Sequence, residues 1–318
     1  MAKQSGRTAK IWRDGELVDW ADANIHVLSH VVHYGSAVFE GMRSYETPTG
    51  GAVFRLQDHM RRLHDSTKIY QLELKWSVDE LCQATVETLV ANDLAHCYIR
   101  PVVVRTGEQM GIYAQDEPVE TFIICWHWGK SYLPHVASEG GARCCVSTWR
   151  RAAPNTFPAM AKASGNYLNA QLAKMEAVRN GYDEAIMLDI AGHVSEGSGQ
   201  NLFLVRDGTL LTSPVAAGIL HGITRDSVAH IAADLGIPVK EMEIPREMLY
   251  VCDEAFFCGT AVEVTPVVSV DKYEIGNGKP GPITNRIRER FMAIATGRAA
   301  DTHGWLTSVP VTVGSGSR

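Results

Sequence analysis

The sequence lacks any run of about 18 apolar residues, so no transmembrane helix is expected. It lacks an excess of positive charge. Its 30 Lys and Arg stand against 36 Asp and Glu, and the net charge of −6 argues against a nucleic-acid binder. It has no C-x-x-C pair, and its seven cysteines are odd in number, which speaks against a disulfide framework. Several of these cysteines sit in apolar runs, where a thiol behaves as a small hydrophobe, and together they point to a reducing, cytoplasmic compartment. No apolar stretch follows Met1–Arg7, so no secretory signal is expected. There is no internal repeat. A G-x-G-x-x-G turn between a strand and a helix is also missing, which removes the main sign of a dinucleotide-binding dehydrogenase.

What remains is an ordinary globular composition, 45% hydrophobic and 21% charged, over 318 residues. That length calls for two domains. The pattern is α/β (α+β): strands are predicted over 10–20 (with an Asp14-Gly15 turn), 52–55, 98–104 and 121–128. Helices are predicted from Leu56 and, behind a Ser77–Glu80 capping box, over 81–90. The nearly unbroken apolar runs at 98–104 and 121–128 read as buried strands. A small N-terminal α/β domain is assigned to 1–128, a linker to 129–141, a larger C-terminal α/β domain to 142–308 and a flexible tail to 309–318. The second domain is predicted to contain strands at 142–148, 184–189, 254–258 and 263–270, a hairpin turning at Asp207-Gly208, and helices at 167–179, 226–235 and 283–295.

Two segments carry chemistry. Lys162 lies in the small-residue run Ala159–Tyr167, and Glu196 lies 34 residues later in the glycine-rich turn Ser195–Asn201. An amine that forms a Schiff base and moves a proton, with a carboxylate that keeps a pyridine nitrogen protonated, is what pyridoxal phosphate chemistry requires. Alone, the lysine reads as a solvated charge and the glutamate as a loop carboxylate. A phosphate could sit at Gly218–Asp226, where glycines lead into a helix start and Thr224 can cap it. A second hydroxyl turn, Gly259-Thr260-Ala261, follows a strand. Arg62 or its neighbour Arg61 would supply a permanent cation, and spacing does not choose between them.

Phe39–Tyr45, Tyr98-Ile99-Arg100-Pro101, Asn155-Thr156, Ala161–Leu168, Ser195-Glu196-Gly197, Gly222–Arg225 and Cys258–Ala261 together resemble the branched-chain amino acid aminotransferases. These are class IV, or fold-type IV, pyridoxal phosphate enzymes, and the likeness is to their bacterial members. It runs from about Ile11 to Trp305 with the motifs in order. It implies a two-domain fold with pyridoxal 5'-phosphate in the interdomain cleft. Lys162 would be the catalytic Schiff-base lysine and Glu196 the partner of the ring nitrogen. Tyr167 would face the phenolic oxygen, and Leu220 would lie against the ring. Arg62, Gly222, Ile223, Thr224 and Thr260 would hold the phosphate. The substrate pocket would draw on Tyr34, Phe39, Tyr98, Arg100, Met110 and Tyr132, with Trp128 and Ile112 nearby, while the Thr260-Ala261 turn takes the α-carboxylate. Arg100 would let glutamate share that pocket; its other reading is a structural ion pair.

The implied reaction is transamination of leucine, isoleucine and valine with 2-oxoglutarate by a homo-oligomer, dimer or hexamer, that binds small molecules only. Two departures stand out: Gln200 where close bacterial members often carry Glu, and His221 where proline is common. Alternatives within the fold are a D-amino acid or (R)-amine transaminase and an aminodeoxychorismate lyase. Outside it stands a non-catalytic binder, which loss of Lys162 or Glu196 would have favoured. His26, His30 and His33 would share one face if helical, but no acidic or cysteine partner converges on them, so no metal is assigned.

Overall fold

The structure is a computed structural model that describes residues 7–127, Val136 and 140–311. Two compact units form. The first comprises Met1–Gly129, Ala161–Gly165 and Ala293–Arg318; the second comprises Lys130–Met160 and Asn166–Met292. The units are therefore not two consecutive stretches. The five residues around Lys162 count with the first unit while both flanks count with the second.

In the first unit, eight described strands form one sheet. Its order is Leu306–Val309, Gly50–Phe54, Met42–Thr47, Cys97–Arg105, Val119–Trp126, Lys10–Arg13 and Glu16–Asp19, with Ala37–Phe39 also paired to Cys97–Arg105. The two apolar runs pair antiparallel from Tyr98↔Trp126 to Arg105↔Val119. Continuous burial here comes from cover on both faces, not from a parallel sheet. Ile99, Val103, Ile123 and Cys125 join one core with Leu56, Met60 and Leu63. Val104 and Phe122 join Ile11 and Ala37 in another. The helix Leu56–Tyr70 buries Leu56, His59, Met60, Leu63, Ser66 and Thr67, the three-and-four spacing of one helical face. The helix Val78–Ala91 starts with the capping box read from the sequence. Val309 and Val311, assigned to a tail, are buried instead, because Leu306–Val309 pairs with Gly51–Phe54 and closes a sheet edge.

In the second unit, nine described strands follow the order Val194–Gly197, Glu184–Leu188, Ala142–Val146, Glu263–Val270, Glu254–Gly259, Asn201–Arg206, Thr209–Thr212 and Val239–Glu241, with Tyr273–Glu274 on Glu263–Val270. Asp207 and Gly208 both take positive φ, 49° and 75°, as a tight hairpin turn requires. Among its described residues are the helices Asn166–Arg179, Ile223–Asp234 and Met248–Val251 and most of Pro282–Ala295, whose last three residues count with the first unit.

Candidate active site

Lys162 is held through its backbone in the first unit. Its N–H donates to Ser66 Oγ at 3.0 Å, and its carbonyl accepts from Phe39 N at 3.0 Å. Val38 bridges to Ala163, and Ser164 N donates to Ala37 O. The lysine segment thus lies along Ala37–Phe39 through one isolated antiparallel bridge, and its Nζ stands 5.2 Å from the centre of the Phe39 ring.

The helix that supplies Ser66 also supplies Arg62 and His59, one and two turns earlier. Both converge on Glu40, which is fully buried. Arg62 Nε and Nη2 donate to Glu40 Oε1 and Oε2 at 2.6 and 2.8 Å, and His59 Nδ1 lies 2.7 Å from Oε2. Burial opposes ionisation of Glu40, but Arg62 and His59 outweigh it and hold the carboxyl far below its usual range. Burial is also the main influence on His59 and pushes its imidazole down, against the pull of Glu40. Arg61 bonds Asp58 and Gln57 at the surface, whereas Arg62 is aimed at a buried carboxylate.

Both shifts have the same sign for stability. Glu40 contributes fully above the unfolded carboxylate value of about 4.3, and that contribution is lost as pH falls through its lower folded value. His59 binds its proton less readily folded than unfolded, so stability falls as pH drops below about 6.5. The denaturation midpoint is expected to fall between pH 7 and pH 5, and His59→Gln to flatten that slope. Chemical denaturation of both proteins at the two pH values checks this; identical slopes would remove His59 as the cause.

Around Phe39 the structure assembles an aromatic and cationic group. The Arg100 guanidinium lies 4.5 Å from the Phe39 ring centre, 5.4 Å from that of Tyr98 and 5.9 Å from that of Trp126, and its Nη2 donates to Tyr98 Oη at 3.3 Å. Gly41 permits this crowding, since a Cβ there would collide with Tyr98 Oη. Tyr34 and Met110 are exposed, Tyr34 stacked on His30. Tyr132 and Trp128 lie outside the described residues.

Glu196 belongs to the second unit. It is not in a turn, as the glycines around it suggested, but on the strand Val194–Gly197, opposite Met187 across a bulge. It is buried, and its Oε1 pairs with Arg151 Nη2 at 2.9 Å. Its Oε2 accepts from Asn201 Nδ2 at 2.9 Å and Leu220 N at 3.2 Å. Gly197 stays a glycine because a Cβ would come within 2.8 Å of the Phe257 ring.

Thr224 is not the helix cap. The N-cap of Ile223–Asp234 is Gly222, without a side-chain cap, and the first helical bond runs from Asp226 N to Gly222 O. The earlier amides, including Ile223 and Thr224, therefore have no partner within the helix and suit an anion. Thr260 and Ala261 form the half-buried turn after Glu254–Gly259, and Tyr167 is the second residue of its helix.

The histidines do not make a helical face. The helix His30–Tyr34 has five residues and His26 precedes it. His30 Nδ1 lies 2.7 Å from Ser36 Oγ and Nε2 lies 2.9 Å from Gly111 O, while His33 bonds Val27 O.

The family model described as amino-transferase class IV matches residues 37–270. The chain belongs to the class IV aminotransferases. It is an enzyme of the transaminase class, with the mixed α/β fold of that family. The branched-chain-amino-acid aminotransferase of Escherichia coli strain K12 is 47% identical over 304 residues, which cover 94% of this chain and 97% of that protein. A crystal structure of the Escherichia coli branched-chain amino acid aminotransferase matches with a TM-score of 0.92 at 46% identity, over 95% of this chain and all (100%) of the other. A branched-chain amino acid aminotransferase from the organism abbreviated T.th., complexed with N-(5'-phosphopyridoxyl)-L-glutamate, matches with a TM-score of 0.90 at 43% identity, over 95% and 99%.

The cofactor of such an aminotransferase is pyridoxal 5'-phosphate, the group expected from Lys162 and Glu196. The residues present fit it: uncapped helix amides suit a phosphate, and a buried carboxylate paired with Arg151 suits a protonated ring nitrogen. Glu40, His59, Ser66 and Arg151 were not picked out as site residues from the sequence. A charge inside Phe39–Met42 and a His and Arg three residues apart on the next helix were the available signals for the first two. Arg151, beside Arg150, looks like ordinary surface charge.

Proposed function

We propose that the chain transfers the amino group of L-leucine, L-isoleucine and L-valine to 2-oxoglutarate, giving the branched 2-oxo acids and L-glutamate, as the last step of making these amino acids or the first of degrading them. The observation that carries this reading is the shared Phe39 ring, which Lys162 Nζ and the Arg100 guanidinium both approach. An apolar side chain can bury against Phe39 and Tyr98, while the carboxylate of glutamate has a guanidinium within the same group of residues. The names of the relatives, and the phosphopyridoxyl-glutamate in one of them, support both substrates.

In this reading Arg62, Ile223, Thr224 and Thr260 would hold the phosphate, Tyr167 the phenolic oxygen, Glu196 the ring nitrogen, and Leu220 the ring face. Bound there, the cofactor supplies an electron sink for the pair left when a Cα–H bond breaks. Lys162 Nζ would take the Cα proton of the amino acid and, in the second half of the exchange, deliver a proton to the Cα of the incoming 2-oxo acid. Glu196 keeps a negative charge buried where the ring nitrogen is held, with Arg151 compensating it. Thr260-Ala261 would receive the α-carboxylate.

Exposed apolar side chains at Val27, Val32, Ile112 and Tyr113 of the first unit and at Leu168, Met175 and Val178 of the second support a homo-oligomer. Among the described residues no helix is long and apolar enough to cross a membrane, and all seven cysteines are free thiols, which supports the cytoplasm.

The test is the visible band of the purified holoenzyme. L-Leucine should abolish it and 2-oxoglutarate should restore it, with no response to D-leucine. A response to D-amino acids or (R)-amines alone would move the chain to the alternative transaminases of this fold. Arg100→Leu should raise KM for 2-oxoglutarate by about 10²-fold, the cost of losing a desolvated charge pair, and change KM for leucine far less. Equal effects on both substrates would make Arg100 structural.

A further inference from the structure

Asn201 opens the strand Asn201–Arg206, paired with Cys258, and is buried. Its amide nitrogen donates twice, to Glu196 Oε2 at 2.9 Å and to Leu220 O at 2.9 Å. Both partners are pure acceptors, which fixes the orientation of the amide. Its oxygen therefore faces the other way, against Gly222, where a Cβ would collide with it. Leu220 N closes the ring by donating to the same Glu196 oxygen. One side chain thus touches the carboxylate, the loop at 220 and the helix cap at 222.

We propose that Asn201 is a positioning residue that sets the spacing between Glu196 and the anion-binding start of the helix Ile223–Asp234. This rests on the reading above, in which those two places receive the ring nitrogen and the phosphate. Those two ends belong to one rigid molecule, so their receptors must stand at a matching separation, and slack between them weakens binding. Glycine at 222 serves the same device: it lets the helix cap lie against the Asn201 oxygen.

Among the described residues, the charged and titratable groups facing position 201 include Glu196, Arg151 on Glu196 Oε1, Cys258 across the ladder, and Arg225 and His221 flanking the cap. Asn201→Asp replaces the double donor by an acceptor beside Glu196. Two carboxylates then share one site and retain a proton between them until pH rises. That proton can serve only one of the two acceptors.

The measurement is the affinity of apoenzyme for added pyridoxal 5'-phosphate between pH 6 and pH 9. Asn201→Asp is expected to bind at least about tenfold more weakly at high pH and to recover as pH falls, relative to the unsubstituted protein at each pH. A merely structural loss would not recover with pH. Should Asn201→Asp fold poorly, Gly222→Ala provides a second reading: it should weaken binding in the parent but add little in an Asn201→Ala background. Unchanged affinity for Asn201→Asp across the range, or additive Gly222→Ala and Asn201→Ala effects, overturns the proposal. Glu196→Gln and Thr224→Ala separate the two levels. If they also leave affinity unchanged, the reading of Glu196 and the helix start is what fails; if they weaken it, only the role of Asn201 is lost.

Discussion

Lys162→Ala is expected to lower kcat by about 10⁴-fold, the upper end of what one positioned proton-transfer group supplies, while leaving the fold intact. The two bonds that place the residue, to Ser66 Oγ and from Phe39 N, are backbone bonds that alanine keeps. The bridge between Val38 and Ala163 is likewise untouched. What disappears is the amine near Phe39. Steady-state turnover with leucine and 2-oxoglutarate, beside a thermal melt, reads both halves of the expectation. A variant that kept more than about a tenth of the parent turnover would remove Lys162 from the proton transfer. A large drop in melting temperature would show that the side chain also carries structure.

Glu196→Gln has the second-largest expected effect on catalysis, about 10²–10³-fold in kcat, the size associated with losing one preorganised electrostatic partner. It also strands a cation. The Arg151 side chain is only 12% exposed and pairs with Glu196 Oε1, so a neutral partner leaves a largely buried charge uncompensated. Stability should therefore fall together with activity. The double variant Arg151→Gln, Glu196→Gln separates the two: it should recover much of the lost stability and none of the lost turnover. Recovery of turnover in the double variant would mean that Glu196 acts only by neutralising Arg151.

The sequence made the elements legible where local chemistry fixes them. The Ser77–Glu80 capping box and the Asp207-Gly208 hairpin are satisfied by nearest neighbours, and both are present. It misled where long-range packing decides. Glycines around Glu196 suggested a turn, but Gly197 is small because Phe257 packs over it, and the segment is a strand. Thr224 looked like a cap because it is a hydroxyl just ahead of the helix predicted from Asp226. The helix starts earlier because Gly222 can lie against Asn201, a contact between residues 21 positions apart. Motif order pointed to Lys162, Arg62 and Glu196, and the partners of the latter two, Glu40 and Arg151, became visible only once the strands and helices had brought them together. Such pairs have no signature in a single chain, since neither spacing nor composition says which buried charge meets which.

The allotment of Ala161–Gly165 to the first unit bears on how the polypeptide can be divided. The chain passes between units at 129/130, 160/161, 165/166 and 292/293, so neither unit is encoded by one uninterrupted stretch. Closing Lys162 onto Phe39 joins points more than 120 residues apart, and the entropy of that closure is met only after most of the first 160 residues have been synthesised. A gene cut near 141 would give one fragment with a strand lacking its lysine, and another with a lysine lacking its strand. Swapping halves between relatives at that point would part the Lys162 backbone from the Ser66 and Phe39 it evolved against, so a recombinant made there inherits a mismatched seat for its lysine, whereas one that exchanges 161–165 together with the first unit does not.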